Sequence, residues 1–138
     1  GDLETSQLDE ILAVTLATLA HPDFKAIFAP GGRSEAAIVG EIKAADGPLI
    51  VNGRADRLVI TDEEVLVVDY KTDRPAPDSA ETIDASYVMQ MAAYRAILAR
   101  TWPHRLIRAA ILYTDGPALF ELPDTLLKDS LERLAGGL

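Results

Sequence analysis

Apolar positions recur at two different spacings along the chain, and these spacings divide it into helices and strands. Between Leu8 and Leu19 an apolar residue returns every three or four positions, which is typical of one face of an amphipathic helix. The segment from Asp23 to Gly32 predicts a short helical turn around Phe24, Ile27 and Phe28, ended by a Pro-Gly-Gly breaker. The first quarter of the chain is therefore expected to be helical.

Three strand-like stretches follow, at Ser34 to Lys43, Leu49 to Ile60 and Val65 to Tyr70. Turn residues separate them at Asp46-Gly47-Pro48 and at Thr61-Asp62-Glu63, so the three strands are expected to form an antiparallel meander. The third stretch is a continuous run of β-branched and apolar residues, which favours a central strand buried on both faces.

The second half of the chain returns to helical spacing and then to strands. A polar, proline-containing loop is expected from Asp73 to Asp84, and a helix from Ala85 to Arg100. Strands are expected at Ile107 to Tyr113 and Ala118 to Leu122, before a terminal helix that begins near Pro123-Asp124. The buried stripe of the Ala85 to Arg100 helix is predicted to consist of Tyr87, Met91, Tyr94, Ile97 and Leu98.

This order of elements predicts one α/β domain spanning all 138 residues, with a central mixed sheet of about five strands flanked by helices. Apolar residues make up 49% and charged residues 25% of the chain, values typical of a folded globular protein. Without cysteine, any metal must be held by oxygen or imidazole ligands, which favours hard cations such as magnesium. No apolar run is long enough to span a bilayer and the acidic start is unlike a signal peptide, so a cytoplasmic location without membrane contact is expected.

The net charge of −9 argues against a free-standing nucleic-acid binder, because affinity for phosphate backbones comes mostly from Lys and Arg. If DNA is the substrate, a basic partner domain or chain must deliver it. Bound divalent cations would also neutralise part of the local field.

The chemistry-bearing residues lie at the ends of two of the predicted strands. Gly53-Arg54-Ala55-Asp56 is followed thirteen positions later by Asp69-Tyr70-Lys71-Thr72. Adjacent antiparallel strands could bring the two aspartates side by side, and carboxylates with the carbonyl oxygen of Tyr70 suit magnesium. Lys71, two residues after Asp69, would share its face of the sheet and could orient a water. The structural alternative is that Asp69 ends a buried strand, Lys71 pairs with it and Asp56 caps a turn.

Gln90 and Tyr94, four residues apart on one face of the next predicted helix, complete a recognisable order of motifs. GRAD, VVDYKT and QMAAY resemble the G-x-x-D, D-x-K and Q-x-x-x-Y motifs of the RecB-like branch of the PD-(D/E)xK nucleases. Similarity is greatest to the C-terminal nuclease domains of the AddA type of bacterial helicase-nuclease, over about the last four fifths of the chain.

The resemblance implies a restriction-endonuclease-like core and roles for particular residues. Asp56 and Asp69 would hold Mg²⁺ or Mn²⁺, and Lys71 would be catalytic. Gln90 and Tyr94 would border the site and contact DNA, although for Tyr94 simple packing is an equal alternative.

Two further positions, one acidic and one histidine, are compared with the metal-binding residues of RecB-like nucleases. Glu35 matches an acidic residue that helps to bind the metal through water, but it could equally be a solvated side chain, and Glu41 lies on the same strand. The upstream G-x-x-x-H motif of these nucleases is absent, and His21 lacks its glycine context, so His21 is interpreted as a surface residue. The chain is therefore expected to be a C-terminal fragment of a longer helicase-nuclease, with a degenerate relative as the alternative.

The function implied by the resemblance is a metal-dependent DNA exonuclease attached to a helicase and paired with an AddB-like subunit, resecting broken DNA ends. ATP would be used by the helicase domains, since the chain has no G-x-x-x-x-G-K-[ST] motif. A serine hydrolase has no support, because no G-x-S-x-G motif accompanies the two histidines. The alternatives are an inactive nuclease-fold scaffold that binds DNA or a partner, and a small interaction module whose acidic charge is its best support.

Overall fold

The computed structural model describes Ile27 and residues 32–136. Within this part of the chain, five strands and two α-helices follow one another in the predicted order. The elements are β1 (Gly32–Ile42), β2 (Leu49–Ile60), β3 (Glu64–Lys71), α1 (Ala85–Thr101), β4 (Leu106–Tyr113), β5 (Ala118–Glu121) and α2 (Asp124–Gly136).

The strands form one sheet in which spatial order follows chain order, β1-β2-β3-β4-β5. Three of the four pairings are antiparallel, as short turns between successive strands allow. The pairing of β3 with β4 is parallel, because α1 carries the chain back to the starting end of β3 before β4 begins. The predicted α/β fold with a mixed sheet of five strands is confirmed.

Most predicted boundaries agree with the structure to within two residues. The largest difference is that Gly32, assigned in sequence to the end of a helical turn, already belongs to β1. The loop before α1 also contains a short 3-10 helix at Ala80–Thr82. The predicted helix from Leu8 to Leu19 lies outside the described residues, as does the turn around Phe24 and Phe28 except for Ile27, which is helical and buried.

The two faces of the sheet are covered differently. One face packs with α1 and α2 into a large apolar cluster that includes Val65 and Val67 of β3. The opposite face forms a smaller cluster that contains Ile27, Val68, Ala110 and Leu112. Because alternate residues of β3 enter the two clusters, the predicted burial of this strand on both faces is confirmed.

A buried arginine fastens the smaller cluster to the sheet. The guanidinium of Arg57 donates to the carbonyl oxygen of Ile27 from Nε at 3.2 Å and from Nη2 at 3.0 Å. Its Nη1 donates to Ser34 Oγ at 3.0 Å. A buried charge needs such partners to offset its desolvation, so Arg57 joins β2, β1 and the segment around Ile27.

In the described part of the chain, neither helix has the length and apolar character needed to cross a lipid bilayer.

Candidate active site

The site begins with a kink in β1 at Glu35. Ser34 bonds to Arg57 on the side of the sheet where Ile27 lies, whereas Ala36 packs against the large cluster beneath α1. Residues two apart in a regular strand share one face, so the strand changes face between them. Glu35 has the left-handed backbone conformation, with φ of 53°, that makes this change possible.

Strand β2 changes face at the same level. Ala55 belongs to the large cluster, whereas Arg57 points to the opposite face. Asp56 lies between them, in register with Glu35, since the pairs on either side of these two residues are aligned. The backbone pairing between β2 and β3 ends at the pair of residues next to Asp56 and Asp69. The two aspartates therefore face each other where the strands separate.

Each aspartate accepts a hydrogen bond from the backbone of the other strand. The amide of Asp56 donates to Asp69 Oδ1 at 3.1 Å, and the amide of Tyr70 donates to Asp56 Oδ2 at 2.7 Å. These two bonds replace the backbone ladder and hold both carboxylates at one place in the sheet. The predicted convergence of Asp56 and Asp69 is confirmed.

Asp69 is almost fully buried, with 3% of its surface exposed. Burial, together with the negative charge of Asp56, raises the pKa of Asp69 to about 6, although the amide of Asp56 and the charge of Lys71 act in the opposite direction. Two adjacent carboxylates that repel each other in a dry position suit a hard divalent cation, which would compensate both charges. The donor set of Asp56 and Asp69 therefore fits magnesium or manganese.

No third acidic or histidine side chain joins this pair to complete a cluster among Ile27 and residues 32–136. Glu35 is half-buried and opposite Asp56 in register, but the structure does not bring it into a three-carboxylate group. Within the described residues, the carbonyl oxygen of Tyr70, whose role stays a prediction, and water would supply further ligands.

Lys71 lies on the same face as Asp69, as predicted. Its Nζ is 3.8 Å from Asp69 Oδ2 and donates to Gln90 Oε1 at 3.3 Å. It also lies 4.2 Å from the centre of the Tyr87 ring. The ammonium group is therefore placed beside the carboxylate pair by residues from both β3 and α1.

A chain of hydrogen bonds continues from Lys71 through the motif residues of α1. Gln90 Nε2 donates to the hydroxyl of Tyr94 at 3.1 Å, and that hydroxyl donates to the carbonyl oxygen of Arg54 at 3.4 Å. Tyr94 is 4% exposed, and burial with the nearby charge of Asp69 raises its pKa, so it stays a neutral donor. In this conformation Tyr94 braces α1 against β2.

This brace explains the glycine of the GRAD motif. A Cβ atom at Gly53 would lie 2.3 Å from the hydroxyl oxygen of Tyr94, well inside van der Waals contact. Any larger residue at this position would push Tyr94 away from Arg54 and disturb the strand that carries Asp56.

One residue of the site has a role that was not predicted from the sequence. Tyr87 packs against the large cluster, as expected for the predicted stripe of α1, but it is half-exposed, and its ring covers Lys71 while its hydroxyl donates to Asp73 at 3.0 Å. Its spacing could have indicated this role, because Tyr87 precedes Gln90 by three residues and so lies on the same helix face.

Of the two histidines, His104 is exposed after α1 and His21 lies outside the described residues.

The geometry, two strand carboxylates with a lysine two residues after the second, could hold a divalent cation beside an ammonium group, as phosphodiester hydrolysis assisted by a metal requires. Residues 4–133 match the family model described as "PD-(D/E)XK nuclease superfamily". The chain belongs to this superfamily, whose members are in general nucleases that use divalent metals such as Mg²⁺.

A similar solved structure is the one described as "Crystal structure of SSO0001". It is 19% identical in sequence with a TM-score of 0.47, and the match covers 92% of this chain and 58% of that chain. The chain thus spans somewhat more than half the length of that protein. No curated protein matches the chain significantly.

Proposed function

We propose that this chain is the RecB-like nuclease domain of an AddAB-type helicase-nuclease, a metal-dependent DNA exonuclease that resects ends during double-strand-break repair. The observation that carries the proposal is the meeting of Asp56, Asp69 and Lys71 at one place in the sheet. Support for the RecB-like branch comes from the order of the GRAD, VVDYKT and QMAAY motifs, whose residues are joined in this site. The AddA type is proposed from the resemblance over about the last four fifths of the chain.

Each residue has a proposed role in phosphodiester hydrolysis. Asp56, Asp69 and the carbonyl oxygen of Tyr70 would hold Mg²⁺ or Mn²⁺, which when bound polarises the phosphate and lowers the pKa of water. Lys71 would orient the attacking water and oppose the negative charge that develops on the phosphate. Glu35 would contact the metal through water.

The charge of the chain calls for a partner that delivers DNA, and the resemblance to AddA-type proteins indicates which partners these would be. A chain with a net charge of −9 attracts DNA poorly, so the helicase domains of the parent chain and an AddB-like subunit would deliver the strand. ATP would be used by those domains, and the complex would work in the cytoplasm. Half-buried Gln90 would contact DNA at the rim of the site, whereas buried Tyr94 would act by supporting Gln90.

The proposal is tested on the full-length protein with its partner subunit, by measuring the degradation of linear duplex DNA in magnesium and ATP. Asp69→Ala is expected to reduce cleavage by about a hundredfold or more, as removal of a key electrostatic group commonly does. Asp62→Ala, at an exposed turn, is the matched control and should cleave normally. Equal degradation by wild type and Asp69→Ala would remove the catalytic interpretation.

The second candidate is an inactive scaffold with the same fold, which binds DNA or a partner. It is favoured by one observation, that only two acidic side chains converge in the described part of the chain. A scaffold would bind its partner without metal, and DNA degradation by the complex would be insensitive to Asp69→Ala.

A further inference from the structure

We propose that Tyr87 is a positioning residue for Lys71, one that holds the ammonium group toward the reacting phosphate. The inference rests on the proposed nuclease function for its catalytic consequence. Its structural part, that the ring fixes the lysine, stands on contacts within the chain.

The ammonium group of Lys71 is bounded by three groups of different chemistry. Asp69 Oδ2 lies at 3.8 Å, Gln90 Oε1 accepts its hydrogen bond at 3.3 Å, and the face of the Tyr87 ring lies at 4.2 Å. The ring distance is well within the range of about 6 Å over which a cation is attracted to an aromatic face. The Lys71 side chain is 18% exposed, so water screens this attraction only in part.

The ring of Tyr87 is itself held at both ends. Its hydroxyl donates to both carboxylate oxygens of Asp73, at 3.0 and 3.1 Å, and Asp73 follows Lys71 by two residues. Its backbone lies in the first turn of α1, where the amide and hydroxyl of Ser86 donate to the side chain of Asp84 at the helix start. A fixed ring can therefore restrict a lysine that would otherwise move about four rotatable bonds.

An aromatic face serves this purpose in a way that another carboxylate would not. It attracts the ammonium group electrostatically but contributes no oxygen lone pair, so it does not occupy an N–H donor as an acceptor would. With Gln90 as the hydrogen-bond acceptor, Lys71 keeps donor capacity for a water molecule or a phosphate oxygen. The arrangement positions the charge while leaving it available for the substrate.

The test compares Tyr87→Leu and Tyr87→Phe in the DNA degradation assay, at saturating magnesium. Tyr87→Leu is expected to lower kcat by about five- to tenfold, with KM for DNA changed by less than about twofold, since the attraction acts on the lysine. Tyr87→Phe keeps the ring and should retain a kcat within about threefold of wild type. Trp102→Leu, at the residue that follows the C-terminal end of α1 about 22 Å from Tyr87, is the matched aromatic control.

A second measurement on metal-free protein does not depend on activity. The ε-methylene protons of Lys71, assigned by their loss in Lys71→Gln, should show an upfield NMR shift from the Tyr87 ring. The shift should persist in Tyr87→Phe and disappear in Tyr87→Leu, while the folded spectrum is retained.

The two measurements separate the failure of this inference from failure of the proposed function. If wild type does not degrade DNA while the NMR shift behaves as described, the nuclease proposal fails and the placement of Lys71 by Tyr87 survives. If wild type degrades DNA and Tyr87→Leu matches it, or Tyr87→Phe is as impaired as Tyr87→Leu, the ring is not the positioning group. An unshifted lysine in wild type would overturn the inference directly.

Discussion

At the scale of single residues, the centre of the site is an acid that folding removes from water. The pKa of Asp69 is raised to about 6 by burial and by Asp56, so the folded protein keeps a proton that the unfolded chain releases near pH 4. Between these values stability falls as pH rises, by about 1.4 kcal/mol per pH unit. Above pH 6 the metal-free fold carries an ionised Asp69 at a cost of roughly 3 kcal/mol, which a bound cation would offset.

Replacing Asp69 by Asn should therefore stabilise the metal-free protein while abolishing cleavage. At pH 8 we expect Asp69→Asn to be more stable than wild type by about 1 to 3 kcal/mol, because the neutral amide carries no charge to desolvate. The measurement is urea unfolding with a chelator at pH 4, 6 and 8. The advantage should vanish at pH 4, where Asp69 is protonated, and a difference that does not change with pH would contradict the explanation.

A second residue-scale prediction concerns the backbone of Glu35. Its φ of 53° is the left-handed conformation, which costs a non-glycine residue roughly 1 to 2 kcal/mol. Glu35→Gly should therefore be more stable than Glu35→Ala by about 1 kcal/mol in chemical unfolding. The same pair of changes at Glu41, an ordinary position of the same strand, should give the opposite order, because glycine weakens a regular strand. The same order at both positions would rule out strain at Glu35.

At the scale of elements, one face of α1 organises the site. Three residues of α1 are spaced by three and four positions and so share that face: Tyr87, Gln90 and Tyr94. Tyr87 and Gln90 contact Lys71, Gln90 donates to Tyr94, and Tyr94 donates to the carbonyl oxygen of Arg54. The helix thus links Lys71 on β3 to the carbonyl oxygen of Arg54 on β2, two residues before Asp56.

The close approach of the Tyr94 hydroxyl to β2 at Gly53 gives a prediction about this glycine. Gly53→Ala should lower the stability by about 1 to 3 kcal/mol and reduce DNA cleavage, because its Cβ would lie 2.3 Å from the hydroxyl of Tyr94. Adding Tyr94→Phe removes the clashing oxygen and should recover part of the stability. Unfolding of the two single variants and the double variant measures this coupling, and strictly additive effects would contradict it.

The element scale also shows what the sequence could and could not predict. Alternation and turn residues located β1 to β5, and the pairing of Asp56 with Asp69 followed from two adjacent strands joined by a turn. The change of face at Glu35 carried no signal, because the alanines that follow it fit either side of a strand. The half-exposure of Tyr87 was not predicted, since helical spacing identifies a face but not how far the core extends along it.

At the scale of the whole molecule, Arg57 joins the sheet to the segment that covers its second face. Arg57→Ala should lower the free energy of unfolding by about 3 kcal/mol, because the buried carbonyl of Ile27 loses two donors and Ser34 loses one. Arg54→Ala, at an exposed position of the same strand, should change it by less than about 0.5 kcal/mol. Urea unfolding of both variants checks the prediction, and a small effect of Arg57→Ala would show that the second face is held by other contacts.

The agreement between strand order in space and in the chain has a consequence for assembly on the ribosome. Both aspartates and Lys71 belong to β1, β2 and β3, whose antiparallel pairing with one another uses only residues that are already synthesised when β3 is complete. Gln90 and Tyr87 emerge afterwards, and β4 can add in parallel only when α1 has crossed the sheet. The two aspartates can therefore meet before the helix that contacts Lys71 exists.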